Sequence, residues 1–118
     1  MKLGFTVMTE FLKYEQIYTL LKLVEAAKAK GHTIVGIFFF GTGVLNIQKN
    51  MILGRTTRNI PLALEALTDV PMWACQTWAD NYAVFPDNII EGAEIAGLGE
   101  LSNMTKEADK IITFGAHA

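Results

Sequence analysis

The most constraining feature of this sequence is the segment Thr33–Phe40, which is apolar at nearly every position. It contains Ile34, Val35, Ile37 and three successive phenylalanines, and β-branched and aromatic side chains of this kind favour a strand. A strand that is apolar on both of its faces is typical of the centre of a parallel sheet, because the crossover connections of such a sheet cover both sides. The segment therefore predicts an α/β fold with helices on both faces.

Helical and strand patterns alternate along the rest of the chain. Ile17, Leu20 and Val24 recur at helical spacing and predict a helix over Tyr14–Lys30, which Gly31 can end as a left-handed cap. The other predicted strands are Leu3–Met8, Val70–Ala74 and Lys110–Phe114, with Ile89–Ile95 as a short strand or extended loop. A long loop with room for one helical turn is predicted over Gly41–Asn59. The other predicted helices run from a capping Asn59 to about Leu67 with Pro61 in the first turn, from Gln76 to Val84 where Pro86 stops the helix, and from Leu98 to Ala108. This order predicts a mainly parallel sheet.

The composition is typical of a small single-domain protein. Its 118 residues suit a single domain, residues 1–118, and the 51 % of apolar residues fill one core. Only 19 % of the residues are charged, and this low share indicates additional surface buried in subunit contacts. No apolar run reaches the roughly 18 residues that a membrane span requires, and the apolar stretch near the N-terminus is too short for a signal peptide. We therefore expect a cytoplasmic protein.

Charge is unevenly distributed. The net charge of −2 does not favour general nucleic-acid binding. No acidic residue occurs between Ala26 and Leu64, and no basic residue occurs between Asp80 and Glu100. Two interpretations remain open. One is ordinary solvated charge, and the other is either a basic loop near a reactive anion or complementary patches that guide subunit docking.

Cys75 is the one cysteine, which excludes an internal disulfide and a cysteine-based zinc site. Reactive groups of open parallel sheets collect at the carboxyl ends of the strands, and Cys75 follows a predicted strand there. Gln76 and Thr77 begin the next predicted helix, whose dipole and unpaired backbone N–H groups would stabilise a thiolate. The alternative is a buried structural cysteine. Trp73 and Trp78, which flank Cys75, are expected to pack in the core or an interface.

Other residues with chemical potential are poorly placed. His32 begins the second strand at the opposite edge of the sheet and His117 is the penultimate residue, so a Cys–His pair and a metal site are not expected. Gly41 and Gly43 are similar to part of a nucleotide-binding turn. The third glycine is missing and the acidic residue Glu65 falls inside a predicted helix, so we expect the two glycines to permit a tight turn.

Several stretches, in this order, match a known family. They are Ala29-Lys30-Gly31-His32, then Ile37-Phe38-Phe39-Phe40 with Gly43-Val44 and Asn46, then Cys75, then Ala96-Gly97-Leu98-Gly99-Glu100-Leu101, then Ala108-Asp109-Lys110-Ile111-Ile112-Thr113-Phe114. As a set they resemble the DsrE/TusD (DsrE/DsrF-like) sulfur relay proteins. The resemblance implies a three-layer α/β/α fold with a mainly parallel five-stranded sheet, and it implies that Cys75 carries a transferable sulfur atom as a persulfide.

The resemblance also implies partners. Members of this group assemble as trimers or hexamers, often with DsrF/TusC-like and DsrH/TusB-like subunits. They receive sulfur from TusA-like donors and pass it to DsrC/TusE-like acceptors, in tRNA thiolation or in dissimilatory sulfur oxidation, and no cofactor is implied. One departure concerns the residues after the cysteine, which are usually small and basic in the group. This chain has Asp80-Asn81 in that region, which leaves the partner and the pathway open.

The predicted function is therefore sulfur transfer on Cys75. Backbone N–H groups of Gln76 and Thr77 are the first candidates for stabilising its anion, and the loop cations Lys49, Arg55 and Arg58 are the second. Two alternatives remain: a non-catalytic structural subunit of a DsrE/F/H-like oligomer, and a small-molecule-binding module that uses the glycine turn.

Overall fold

The structure is a computed structural model that describes residues 1–12 and 15–115. Its five strands are β1 (Lys2–Val7), β2 (Thr33–Phe39), β3 (Met72–Cys75), β4 (Ala93–Ala96) and β5 (Lys110–Phe114). All neighbouring strands pair in parallel, and the order across the sheet is β4-β3-β2-β1-β5. The predicted α/β fold with a mainly parallel five-stranded sheet is confirmed.

The helices connect these strands as crossovers. They are α1 (Gln16–Ala29), α2 (Ile60–Glu65), α3 (Gln76–Asn81) and α4 (Leu98–Glu107), with 3-10 segments at Gly41–Ile47 and Pro86–Asn88. The side chain of Asn59 accepts a hydrogen bond from the Leu62 amide at 3.1 Å, which confirms the predicted cap of α2. The helix predicted to reach Val84 ends at Asn81, because Ala83 turns the chain with a positive φ of 56°.

The sheet separates two layers of unequal thickness. We call one side of the sheet the α1 face. There, side chains of α1, α2 and the 3-10 segment Gly41–Ile47 pack against the sheet in one large buried cluster. On the opposite side, the α4 face, a small cluster contains Val35, Phe38, Cys75 and Met104, and Met104 comes from α4. The predicted helical cover on both faces is therefore present, but the cover on the α4 face is thinner.

Two glycines allow close packing on the α4 face. A Cβ atom at Gly36 would lie 2.2 Å from the ring of Trp73, and one at Gly4 would lie 2.7 Å from Ile111 and 3.2 Å from Met104. The Trp73 ring therefore rests directly on the backbone of β2, as expected for core packing, and α4 approaches β1 closely. These contacts leave little space between the sheet and its thin cover.

Within the part of the chain that the structure describes, none of the helices is both long and apolar enough to span a membrane.

Candidate functional site

Cys75 lies at the carboxyl edge of the sheet, as predicted. It is the last residue of β3 and the N-cap of α3, and its side chain makes no capping hydrogen bond. Its partner in the sheet is Ala96, the last residue of β4. Two adjacent strands therefore end at the same level, and the sulfur is held where α3 and α4 begin.

The thiol is nevertheless buried within the single chain. Cys75 is only 5 % exposed and shares its cluster with Val35, Phe38 and Met104. The partly buried residues that pack against this cluster are Phe40, Trp73, Trp78, Leu101, Ala108 and Ile111. An incoming sulfur donor can therefore reach the thiol only if neighbouring side chains move.

Three aromatic residues beside Cys75 extend from the buried cluster towards solvent. Trp78 follows Cys75 by three residues and shares its side of α3, and Tyr82 follows by one further turn. The ring centroids of Phe40 and Trp78 are 6.0 Å apart in an edge arrangement, and those of Trp78 and Tyr82 are 6.2 Å apart and stacked. We call Phe40, Trp78 and Tyr82 the aromatic ladder. Its outer member, Tyr82, is 37 % exposed, whereas Phe40 and Trp78 pack against the buried cluster that contains Cys75.

Gln76 and Thr77 stand next to Cys75, as the sequence requires, and form the exposed first turn of α3. Backbone N–H groups in the first turn of a helix have no partner within the helix, so they are free to face an anion. The Gln76 side chain donates to the Asp80 carboxylate at 2.9 Å. The charge one turn from the thiol is therefore negative.

The three loop cations have different surroundings. The Lys49 amide donates to the Asn88 carbonyl at 2.9 Å, and Lys49 lines a 660 Å³ cavity beside β4 together with Glu65 and Glu94. Arg55 is exposed in a turn. The guanidinium carbon of Arg58 lies 5.7 Å from the centre of the Tyr18 ring of α1. Since α1 covers the opposite face from Cys75, the structure does not bring Arg58 to the thiol, and the roles of Lys49 and Arg55 stay predictions.

His32, the histidine that the structure describes, does not lie beside the thiol. His32 Nδ1 lies 3.1 Å from the N-terminal nitrogen of Met1, at the start of β2. Phe39 pairs with Ala74, so Cys75 lies level with Phe40, and the eight residues from His32 to Phe40 correspond to roughly 26 Å along the strand. His117 lies outside the described residues. Among residues 1–12 and 15–115, no group of three or more His, Cys, Asp or Glu side chains is arranged to hold a metal ion.

The glycine turn packs on the chain's own backbone. Gly41 has a φ of +60°, and a Cβ atom at Gly43 would lie 2.2 Å from the carbonyl oxygen of Val7. The two glycines therefore permit a tight turn against the end of β1. This arrangement does not support a phosphate-binding role for the turn.

Asn46 has a role that sequence reasoning missed. Its side chain is fully buried, accepts from the Phe11 amide at 3.0 Å and donates to the carbonyls of Thr9 and Gly43 at 2.8 and 2.9 Å. It thereby joins the loop after β1 to the 3-10 segment after β2. A polar residue within the apolar run Val44–Ile47 was the available signal, because buried polar groups are almost always hydrogen-bonded.

Known proteins share this fold and this sequence pattern. The chain is 28 % identical over 109 residues to a protein named sulfurtransferase TusD homolog from Pseudomonas aeruginosa, covering 80 % of this chain and 83 % of that one. It is 41 % identical to the Escherichia coli protein YchN over 58 residues, which are 48 % of this chain and 50 % of YchN.

Solved structures agree with this result. The crystal structure of YchN from Escherichia coli superposes with a TM-score of 0.83 at 27 % identity, covering 96 % of this chain and 98 % of YchN. A protein of unknown function from Methanobacterium thermoautotrophicum, at 17 % identity and a TM-score of 0.68, covers 95 % of this chain and 97 % of its own and shares the fold. A model of the DsrE/DsrF-like family matches residues 1–114. The chain therefore belongs to the DsrE/DsrF-like family.

Proposed function

We propose that this protein is a sulfur relay subunit that carries a sulfane sulfur as a persulfide on Cys75. The position of Cys75 carries the proposal: the thiol ends β3, begins α3 and has no capping partner. Family membership and the similarity to proteins named sulfurtransferase TusD homolog support it. The proposal also locates the protein in the cytoplasm, where thiols are kept reduced.

The reaction consists of two exchanges that balance without an external oxidant. The Cys75 thiolate attacks the outer sulfur of a donor persulfide, so a new S–S bond forms on Cys75 while the donor's S–S bond breaks. The donor leaves as a thiolate and takes up the proton that Cys75 released. An acceptor thiolate then attacks the outer sulfur on Cys75 in the same manner, and Cys75 returns to the thiol. Neither exchange uses a cofactor.

Backbone amides are the groups proposed to hold the anion. The N–H groups of Gln76 and Thr77 are unpaired within α3 and adjoin the sulfur along the chain. Lys49 and Arg55 are the second candidates, through long-range potential. TusA-like donors and DsrC/TusE-like acceptors remain the proposed partners, in a trimer or hexamer of this chain alone or with related subunits.

Access requires movement of the covering side chains. The 5 % exposure of Cys75 means that a docking partner must displace part of the aromatic ladder or of the α4 cover before the sulfurs meet. Side-chain rearrangement at an interface is common when proteins bind. Burial between transfers would protect a persulfide from water and oxidants.

The same burial favours a second candidate function, a non-catalytic structural subunit. In that case Cys75 would be a packing residue of the α4 face, similar to Val35 and Phe38. This candidate predicts a thiol that reacts with neither alkylating reagents nor persulfides while the protein is folded.

Mass spectrometry of the intact protein separates the two candidates. The protein is incubated with glutathione persulfide and with a persulfidated donor protein, and Cys75→Ser is the matched control. Sulfur transfer predicts a gain of one sulfur atom on the wild type and none on Cys75→Ser. Wild-type protein that remains unlabelled by every donor, and is alkylated only after unfolding, would favour the structural subunit.

A further inference from the structure

The strand β4 has an open edge. It is the last strand in the order β4-β3-β2-β1-β5, so it pairs on one side only, with β3. Among the residues that the structure describes, Glu94, Ile95 and Ala96 make no backbone hydrogen bond outside that pairing. Unpaired strand edges are templates to which a further strand can add. We infer that this edge receives an extended loop from a second copy of this chain, in a reciprocal two-fold contact that does not depend on the chemistry of Cys75.

A groove of 660 Å³ lies along this edge, and we call it the β4 groove. Ala93, Glu94 and Ile95 are consecutive and all line it. Successive residues of a strand point to opposite faces of the sheet, so a groove that all three border runs beside the edge of the strand. The buried residues Ile89 and Ile90 add apolar lining. The β4 groove therefore offers unpaired backbone and an apolar surface together.

The β4 groove has an excess of negative charge. Its charged lining residues are Lys49, Glu65, Glu91 and Glu94. Three carboxylates thus share the groove with one ammonium group, and the Glu65 carboxylate is held there because it accepts a hydrogen bond from the Glu91 amide at 2.7 Å. Lys49 offsets one carboxylate and leaves the other two, so an occupant with positive charge is favoured.

Residues 50–58, which we call the basic loop, have the complementary properties. Met51 and Leu53 pack against the core of their own chain, whereas Ile52 between them is 100 % exposed. This alternation is that of a strand with one uncovered side. The backbone of residues 50–53 makes no hydrogen bond within the described part of the chain. The basic loop also contains two arginines and no acidic residue.

The basic loop and the β4 groove adjoin on one copy. Lys49, which directly precedes the loop, lines the groove. A smaller cavity of 130 Å³ has Lys49, Asn59 and Glu65 in its lining, so both ends of the loop meet beside the groove. Together they form a continuous patch with a basic half and an acidic half. Such a patch is self-complementary, because a two-fold axis places each half against the opposite half of the second copy.

The reciprocal contact gives a partner to each group that is open on one copy. The loop backbone beside Ile52 pairs with the outer edge of β4, and the Ile52 side chain leaves water for the apolar lining of the groove. Arg58 lies over an aromatic ring of α1 in its own chain, whereas Arg55 is exposed in a turn. Arg55 is therefore the cation that faces Glu91 and Glu94 of the second copy.

Exchange of charge between two variants tests the contact. Arg55→Glu, and separately the double variant Glu91→Lys, Glu94→Lys, each bring like charges together, so each should weaken self-association roughly tenfold in sedimentation equilibrium. An equimolar mixture of the two variants should associate as tightly as the wild type, because both contacts of the mixed dimer again join opposite charges. Glu107→Lys at the end of α4 is the control and should associate as the wild type does. All of the substituted residues are exposed.

Hydrogen exchange followed by mass spectrometry checks the strand pairing. The amides of residues 94–96 should exchange more slowly in the associated wild type than in Arg55→Glu. A wild type that stays monomeric throughout the micromolar range, or a mixture that stays dissociated, overturns the inference. Association that neither charge variant weakens also overturns it. Sulfur transfer to Cys75 is read in its own assay, so the failure of either proposal leaves the other standing.

Discussion

The two faces of the sheet differ in how completely they are covered, and the candidate chemistry lies on the thinner side. On the α1 face, α1 alone buries Ile17, Leu20, Val24 and Ala27, and further apolar residues come from α2 and the 3-10 segment. On the α4 face, the ten residues of α4 bury only Met104. The comparison indicates that the α1 face supplies most of the stability and that the α4 face keeps a thiol close to the surface.

The largest expected effect is on the α1 face. Phe5 is fully buried there, and Phe5→Ala should lower the free energy of unfolding by about 3–5 kcal/mol, because it removes a large side chain from a packed core. Urea denaturation followed by circular dichroism measures the change. Leu62→Ala, at a position of α2 that is 60 % exposed, is the control. A loss below about 1 kcal/mol would show that the α1 face does not dominate stability.

Met104→Ala tests the α4 face in the same way. Met104 is 2 % exposed and shares the Cys75 cluster, so we expect a loss of about 2 kcal/mol, at the low end for such a substitution because the thin cover can collapse. The rate of alkylation of Cys75 by iodoacetamide should rise at the same time. A loss as large as that of Phe5→Ala, with unchanged alkylation, would remove the distinction between the faces.

Trp78→Ala tests whether the aromatic ladder covers the thiol. Loss of the ring contacts with Phe40 and Tyr82 should lower the free energy of unfolding by about 1–2 kcal/mol. The rate at which iodoacetamide alkylates Cys75 in the folded protein should rise roughly tenfold, because the reagent can then reach the thiol through the space that the Trp78 ring occupied. Tyr82→Ala, which removes only the outer ring, should have a smaller effect on both. Equal alkylation rates in wild type and Trp78→Ala would show that access occurs by another route.

The smallest effect is expected at the Lys28–Asp69 ion pair, which joins the last turn of α1 to the turn before β3 at 2.6 Å. The hydrogen bond from Lys28 lowers the pKa of Asp69 from its ordinary value of 3.8. A lowered carboxyl pKa stabilises the fold above the ordinary value, and that contribution is lost as the pH falls through the lowered pKa. Asp69→Asn should remove this pH dependence with little change in thermal stability at pH 7, because exposed ion pairs contribute little. A clear drop in the melting temperature at pH 7 would contradict it.

Several elements were predictable because their signals are local. The apolar run of β2, the helical spacing in α1, the Asn59 cap and the strand Lys110–Phe114 each depend on residues close together in sequence. The shortened end of α3 at Asn81 was less predictable, because the positive φ of Ala83 carries no glycine or asparagine signal.

The site was predictable in position and not in environment. A parallel sheet places the end of β3 at its carboxyl edge whatever surrounds it, so Cys75 could be located from the sequence. The position of Arg58 could not, because its ring contact with Tyr18 joins residues 40 positions apart across the crossover from α1.

The sequence by itself determined the order of elements, the parallel sheet and the place of the single thiol at a strand end, because hydrophobic periodicity and capping act over a few residues. Only the tertiary structure decided that Cys75 is 5 % exposed and that the aromatic ladder packs against its buried cluster. The physical reason is that the burial of one atom depends on all the residues that pack around it. Those residues come from distant parts of the chain, so no local sequence pattern encodes the result.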